Sequence, residues 1–302
     1  MTARILGSVA RAAVVLLLVS VAVFGATELL PSDAADARTG GSATAVGEAE
    51  LRDRLGLDRP AWRRYTGWLA GLARGDAGAS LVTDRPVGRM VAERLPATLT
   101  LAGCALAVTA PLMLLLAWAA GTSPRLAALV TGLAAVPQVV LAAGLAAIFS
   151  GALAWLPPVS LLPAGGSPLE DPEILVLPTL ALAVPSAAFG AGLLGGAVAD
   201  VVRRPHATSA VARGLPPHVV AVRHVLPFLV APAVRVLAIV TGGLLAAAAV
   251  VETLFGYSGL GELLVSSVGT RDVPVVQAVA MLGAAAVLAG LLLADLLGEE
   301  RA

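Results

Sequence analysis

The sequence predicts an all-α integral membrane protein: six transmembrane helices, a structured cytoplasmic loop between the fourth and fifth, and an external segment between the first two. Three observations carry this reading. The apolar classes make up 58% of the 302 residues before the 32 Gly are counted. Charged residues supply only 13%, about half the roughly 25% usual in soluble domains, so one soluble core could not hide the surplus and a disordered chain would be far more polar. Six stretches also reach about twenty residues with charge only near their ends, the length that crosses roughly 30 Å of hydrocarbon at 1.5 Å per residue.

Those stretches are residues 12–30, 97–119, 126–149, 174–198, 228–251 and 273–297. They divide the chain into a cytoplasmic tip with the first helix (1–30), an extracytoplasmic segment (31–96) and a five-helix core (97–302) with its loop at 199–227. Arginine sets the orientation, because basic flanks resist translocation. One set of connections holds Arg4, Arg11, Arg125, Arg203, Arg204, Arg213, Arg223 and Arg301, whereas the opposite short loops hold only Arg271 among Glu170, Asp171, Glu173, Glu252, Glu262 and Asp272. Both termini of this multi-pass membrane protein are therefore expected in the cytoplasm. Arg4 and Arg11 before an apolar run also fit a cleaved secretory signal; either way the later spans keep their orientation.

Outside the bilayer, residues 32–47 read as a Ser/Gly/Ala linker. Trp62, Tyr65, Leu69 and Leu72 then recur at helical spacing after Pro60, a stripe suited to the bundle, the lipid interface or a solute. The cytoplasmic loop is more telling. Ala207 to Arg213 suits a short helix, Gly214 supplies the backbone freedom of a C-cap, and Pro216 and Pro217 block continuation. His218 to Val225 can form a second helix before Pro227 leads into the fifth span. A helix, turn and helix with four Arg reads as a docking element for a soluble partner, or as a basic loop over anionic lipid.

Several chemistries are disfavoured. All 20 basic residues are Arg, so no Walker A lysine exists to hold nucleotide phosphate. Zero net charge gives no field to recruit nucleic acid. Cys104 is single and apolar in setting, and His206, His218 and His224 lie at spacings of twelve and six that match no metal-binding helix pair. No cofactor or metal is expected, and no nucleophile, base and acid gather at a membrane surface. Glu28, Arg235 and Asp295 fall near span ends, leaving no proton relay at mid-depth. Small residues, among them Gly190, Gly192, Gly195, Gly196, Gly242 and Gly243, suit close helix contacts or reflect composition drift.

The loop resembles the signature of inner-membrane permease subunits of binding-protein-dependent ABC importers, in the branch for dipeptides, oligopeptides and nickel. Ala210, Val211, Ala212, Arg213, Gly214 and Leu215 match its Ala-x-Ala-Lys-Gly-Leu, and ten residues after Gly214 come His224, Val225, Leu226 and Pro227. Thr208 and Ser209 stand where the general signature has Glu-Ala, and Arg213 replaces Lys. Further blocks are similar: Gly75 to Ser80, Arg94 to Leu99, Glu252 to Gly261, and Arg271 to Gln277. The resemblance implies a permease without catalytic chemistry, a second similar permease, two ATP-binding cassette ATPase subunits and an extracytoplasmic solute-binding protein. It implies an ATPase-coupling role for Ala210, Ala212, Arg213, Gly214, Leu215, His224, Leu226 and Pro227. The competing reading is a secondary carrier or channel that works without an ATPase. The transported solute is left open among peptides, nickel, glycosides and other small molecules.

Overall fold

The computed structural model of the chain describes residues 2–28, 60–161, 166 and 168–299, with side chains over 6–28, 60–161, 166 and 168–292. The 32–47 stretch lies outside the described residues. Helix α1 spans Thr2–Glu28, α2 Ala61–Ala73, α3 Val87–Thr122, α4 Pro124–Ala135, α5 Gln138–Ala146 and α6 Glu173–Val202. Then follow α7 (Pro205–Ala212), α8 (Pro217–Val220), α9 (Leu226–Phe255), α10 (Leu260–Gly269) and α11 (Val273–Glu299). No named strand occurs among the described residues; Ala79 and Pro86 form an isolated bridge.

Proline punctuates the helices. Pro124, Pro205 and Pro217 each open a helix, where the missing N–H would be unpaired anyway. Pro60 caps α2 from just outside it. Five helices are long and apolar enough to cross a membrane among the described residues. The expected third span differs: residues 126–149 are not one rod but α4 and α5, bent by 90°. Pro137 is the cause. It forces Val136 into an extended conformation (φ −69°, ψ 124°) and supplies no N–H to continue α4. A π-helical turn, Ala147–Ala152, extends α5 beyond the break.

Helix α6 is the hub, packed by α3, α4, α5 and α9, while α1 reaches the bundle through α11. Apolar clusters succeed one another along α3: Val87 with Leu260 and Val275, then Leu101 with Leu182 and Phe255, then Met113 with Val198 and Val225. Leu6, Leu17, Leu115 and Leu129 point outward from the packed faces, as side chains meant for lipid do. Helix α3 begins ten residues before the expected span, so it crosses position 96, the expected edge of the external segment, without interruption.

The glycine expectation is met at half its positions. A Cβ at Gly190 would lie 2.6 Å from Met113 Sδ, and Gly195 and Gly242 abut Ala120 and Val287. Gly192, Gly196 and Gly243 face open space, whereas Gly121, which sequence reading overlooked, packs where a Cβ would lie 2.6 Å from Val198.

Candidate functional site

The first candidate site is the loop of α7 and α8. Helix α7 ends in a Schellman turn: the Gly214 amide donates to Val211 O at 2.9 Å and the Leu215 amide to Ala210 O at 3.3 Å. Gly214 sits at φ +77°, the left-handed region that side chains resist, in open space. Pro216 and Pro217 then begin α8.

The eight sequence-selected residues divide by burial. Ala210 is buried with Ala207, Val220 and Val225 against Met113, Val198 and Leu229, and Leu215 packs partly onto the same cluster. These side chains seat the loop on the bundle. Ala212, Arg213 and Gly214 are exposed, as are Leu226 and Pro227. Val211 is 62% exposed and Val222 59%; neither is among the eight residues selected from sequence for coupling, although each is an apolar side chain on the polar surface of the loop. His224 is half-buried, and its carbonyl accepts the Nε2–H of His206 at 2.9 Å. The His206 ring lies 4.5 Å from that of Phe228, and Arg204 stands 5.9 Å over the same ring.

The expected break before the fifth span is absent. Helix α8 continues through a π-helical turn, Ala221–Val225, directly into α9. The wider turn absorbs the missing N–H of Pro227, so one continuous helical run of 39 residues, Pro217–Phe255, connects the loop to the far end of α9.

The second candidate site lies at the other end of α9. Glu252, expected in a loop, sits inside the last turns of α9 and is fully buried. Its carboxylate accepts the amide of Gly261 at 2.6 Å, that of Glu262 at 3.3 Å and the hydroxyl of Thr98 at 2.8 Å. Thr98 Oγ1 in turn accepts the Leu260 amide at 2.8 Å. Three amides opening α10 are thereby satisfied from neighbouring helices, because the capping position is Gly259 and offers no side chain. A Cβ on Gly259 would overlap the Glu252 carboxyl group, and one on Gly261 the Ala249 backbone.

Tyr257 completes the collar, donating to Ala97 O at 2.7 Å. Burial first, and the Glu252 carboxylate second, push its phenol pKa well above the usual range. Arg94 pairs with Glu262 at 2.7 Å. Asp272 accepts the Ser80 hydroxyl and the Leu81 amide, the latter at 2.9 Å. The four blocks that stand far apart in sequence therefore meet in pairs: Arg94 to Leu99 with Glu252 to Gly261, and Gly75 to Ser80 with Arg271 to Gln277.

Nearby, α2 leans on α1. Tyr65 shares a 2.8 Å hydrogen bond with Ser20, and Phe24 meets Tyr65 and Trp68 at 5.4 and 5.9 Å. The stripe is thus Tyr65, Trp68, Leu69 and Leu72, while Trp62 points outward beneath Arg63.

Residues 114–299 match the family described as binding-protein-dependent transport system inner membrane component, and residues 1–102 match its N-terminal counterpart. The chain belongs to this family. It is a permease subunit of an ATP-driven importer and resides in the inner membrane. A protein named as a peptide transport system permease of Brucella abortus (strain 2308) is 32% identical over 285 residues, covering 92% of this chain and 90% of the relative. The glutathione transport system permease GsiC of Pectobacterium atrosepticum is 34% identical over 275 residues, 88% of this chain and 87% of its own. GsiC of Salmonella typhimurium is 33% identical over 279 residues, with the same coverage of each. Systems of this kind work with an ATPase and a binding protein.

Proposed function

We propose that this permease carries peptides or close relatives of peptides, and that the loop around Gly214 is where a separate ATPase subunit engages it. The relatives named for peptide and glutathione transport support the solute class, because both cargoes share amide backbones. The Gly214 turn carries the coupling reading. It presents Val211, Ala212 and Arg213 outward while Ala210 and Leu215 anchor it, and α8 runs without a break into α9. Force applied at the turn thus reaches Glu252 along one helix, which suits a rigid-body change between inward-facing and outward-facing states.

In this reading ATP hydrolysis resides on two separate cassette subunits, a second permease completes the path, and a binding protein delivers solute at the Glu252 end. The Gly214 end and both termini face the cytoplasm, and the segments 1–30, 31–96 and 97–302 are anchor, external segment and permease core. Reconstitution of the whole importer in liposomes tests it. Dipeptide uptake should require the binding protein and ATP; uptake by this chain alone would favour the carrier reading instead.

A further inference from the structure

The break between α4 and α5 borders an open cavity of about 290 Å³. Val136 and Gln138 wall it on one side, Pro185, Ser186 and Phe189 of α6 on another, and Gly243 of α9 on a third. Ser186 lies near the middle of Glu173–Val202 and Gly243 near the middle of Leu226–Phe255, so the cavity stands about halfway along the bundle. Non-helical backbone at such depth is tolerated only where it is buried in protein or lines a cavity that solvent or solute can enter.

Gln138 is the notable wall residue. Its Nε2 is enclosed and has no hydrogen-bond partner among the described residues, a costly state for an amide in an apolar bundle. Gln138 also lines the cavity, so a torsional change of this side chain is what the donor needs to reach it. Phe189, 52% exposed, offers an apolar face opposite. Among the described residues no ionisable side chain lines the space. Its volume sits at the small end of ligand sites.

We infer that this cavity is a solute-contact site of the translocation path, in which Gln138 donates to a backbone carbonyl of the passing peptide while Phe189 packs its side chain. An uncharged donor suits this task, because a passing solute must be held weakly enough to leave again. The inference rests on the peptide reading above and names the residues that act on the cargo.

The test uses the complete importer in liposomes, with radiolabelled Ala-Ala presented by the binding protein. Gln138→Leu should lower uptake about three- to tenfold, the effect of one lost hydrogen bond, and Gln138→Asn, which keeps an amide, should recover most of it. In a Cys104→Ala background, Gln138→Cys should react with a charged methanethiosulfonate reagent, and Ala-Ala with binding protein should slow that reaction about threefold or more. Unchanged uptake by Gln138→Leu, absence of labelling, or labelling without protection would each overturn the inference while the wild-type complex still transports Ala-Ala. A wild-type importer that takes up no dipeptide would overturn the peptide reading, and this inference with it.

Discussion

The carboxylate of Glu252 accepts the backbone amide of Gly261 at 2.6 Å, so the end of one long helix caps the beginning of a short one. Glu252→Ala leaves two buried amides and the Thr98 hydroxyl without their acceptor. At about 1–3 kcal/mol for each abandoned group, the loss should be about 3 kcal/mol or more, and the melting temperature of the detergent-solubilised protein should fall by about 6 °C or more. Glu252→Gln keeps one acceptor oxygen and should lose less. Equal melting of Glu252→Ala and the parent would show that the collar contributes nothing.

Asp272 fastens the segment after α2. Asp272→Ala releases both Ser80 and Leu81, and the turn from Arg74 to Arg85 should open. Trypsin applied to the purified protein should then cut after Arg74 at least several-fold faster, because proteolysis follows the population of the opened segment. An unaltered cleavage pattern would contradict the fastening role.

Hydropathy revealed the helices and their approximate ends because burial in lipid imposes one simple rule along the chain. It could not reveal that Pro137 turns the third span through 90°, since a bent pair and a straight rod have the same mean hydropathy. The Gly214 turn was legible for a local reason: its glycine, its following prolines and its hydrogen bonds lie within a few residues. Glu252 was not. Its partner Thr98 stands 154 positions away, and the two blocks containing them show no mutual signal until folding brings them together. Position 227 misled in the opposite direction, because a π-helical turn lets the chain run through Pro227 where a straight α-helix would stop.

Sidedness has a direct check. In a Cys104→Ala background, His218→Cys should react with a membrane-impermeant maleimide only in inside-out vesicles, and Glu170→Cys only in right-side-out vesicles. Both positions are exposed, so labelling reports the compartment and not burial. The reverse pattern would invert the orientation argued from arginine.

We propose that the turn at Gly214 transmits the work of the ATPase to the spans. A side chain at φ +77° costs about 1–2 kcal/mol, more for a β-branched one, yet a protein has about 5–15 kcal/mol of stability and should stay folded. Asparagine tolerates this conformation and serves as the control. The deciding measurement is binding-protein-stimulated ATPase activity together with uptake in the reconstituted importer. Gly214→Val should assemble but lose stimulation about tenfold or more, and Gly214→Asn should retain most of it. Full stimulation and uptake in assembled Gly214→Val would contradict the account.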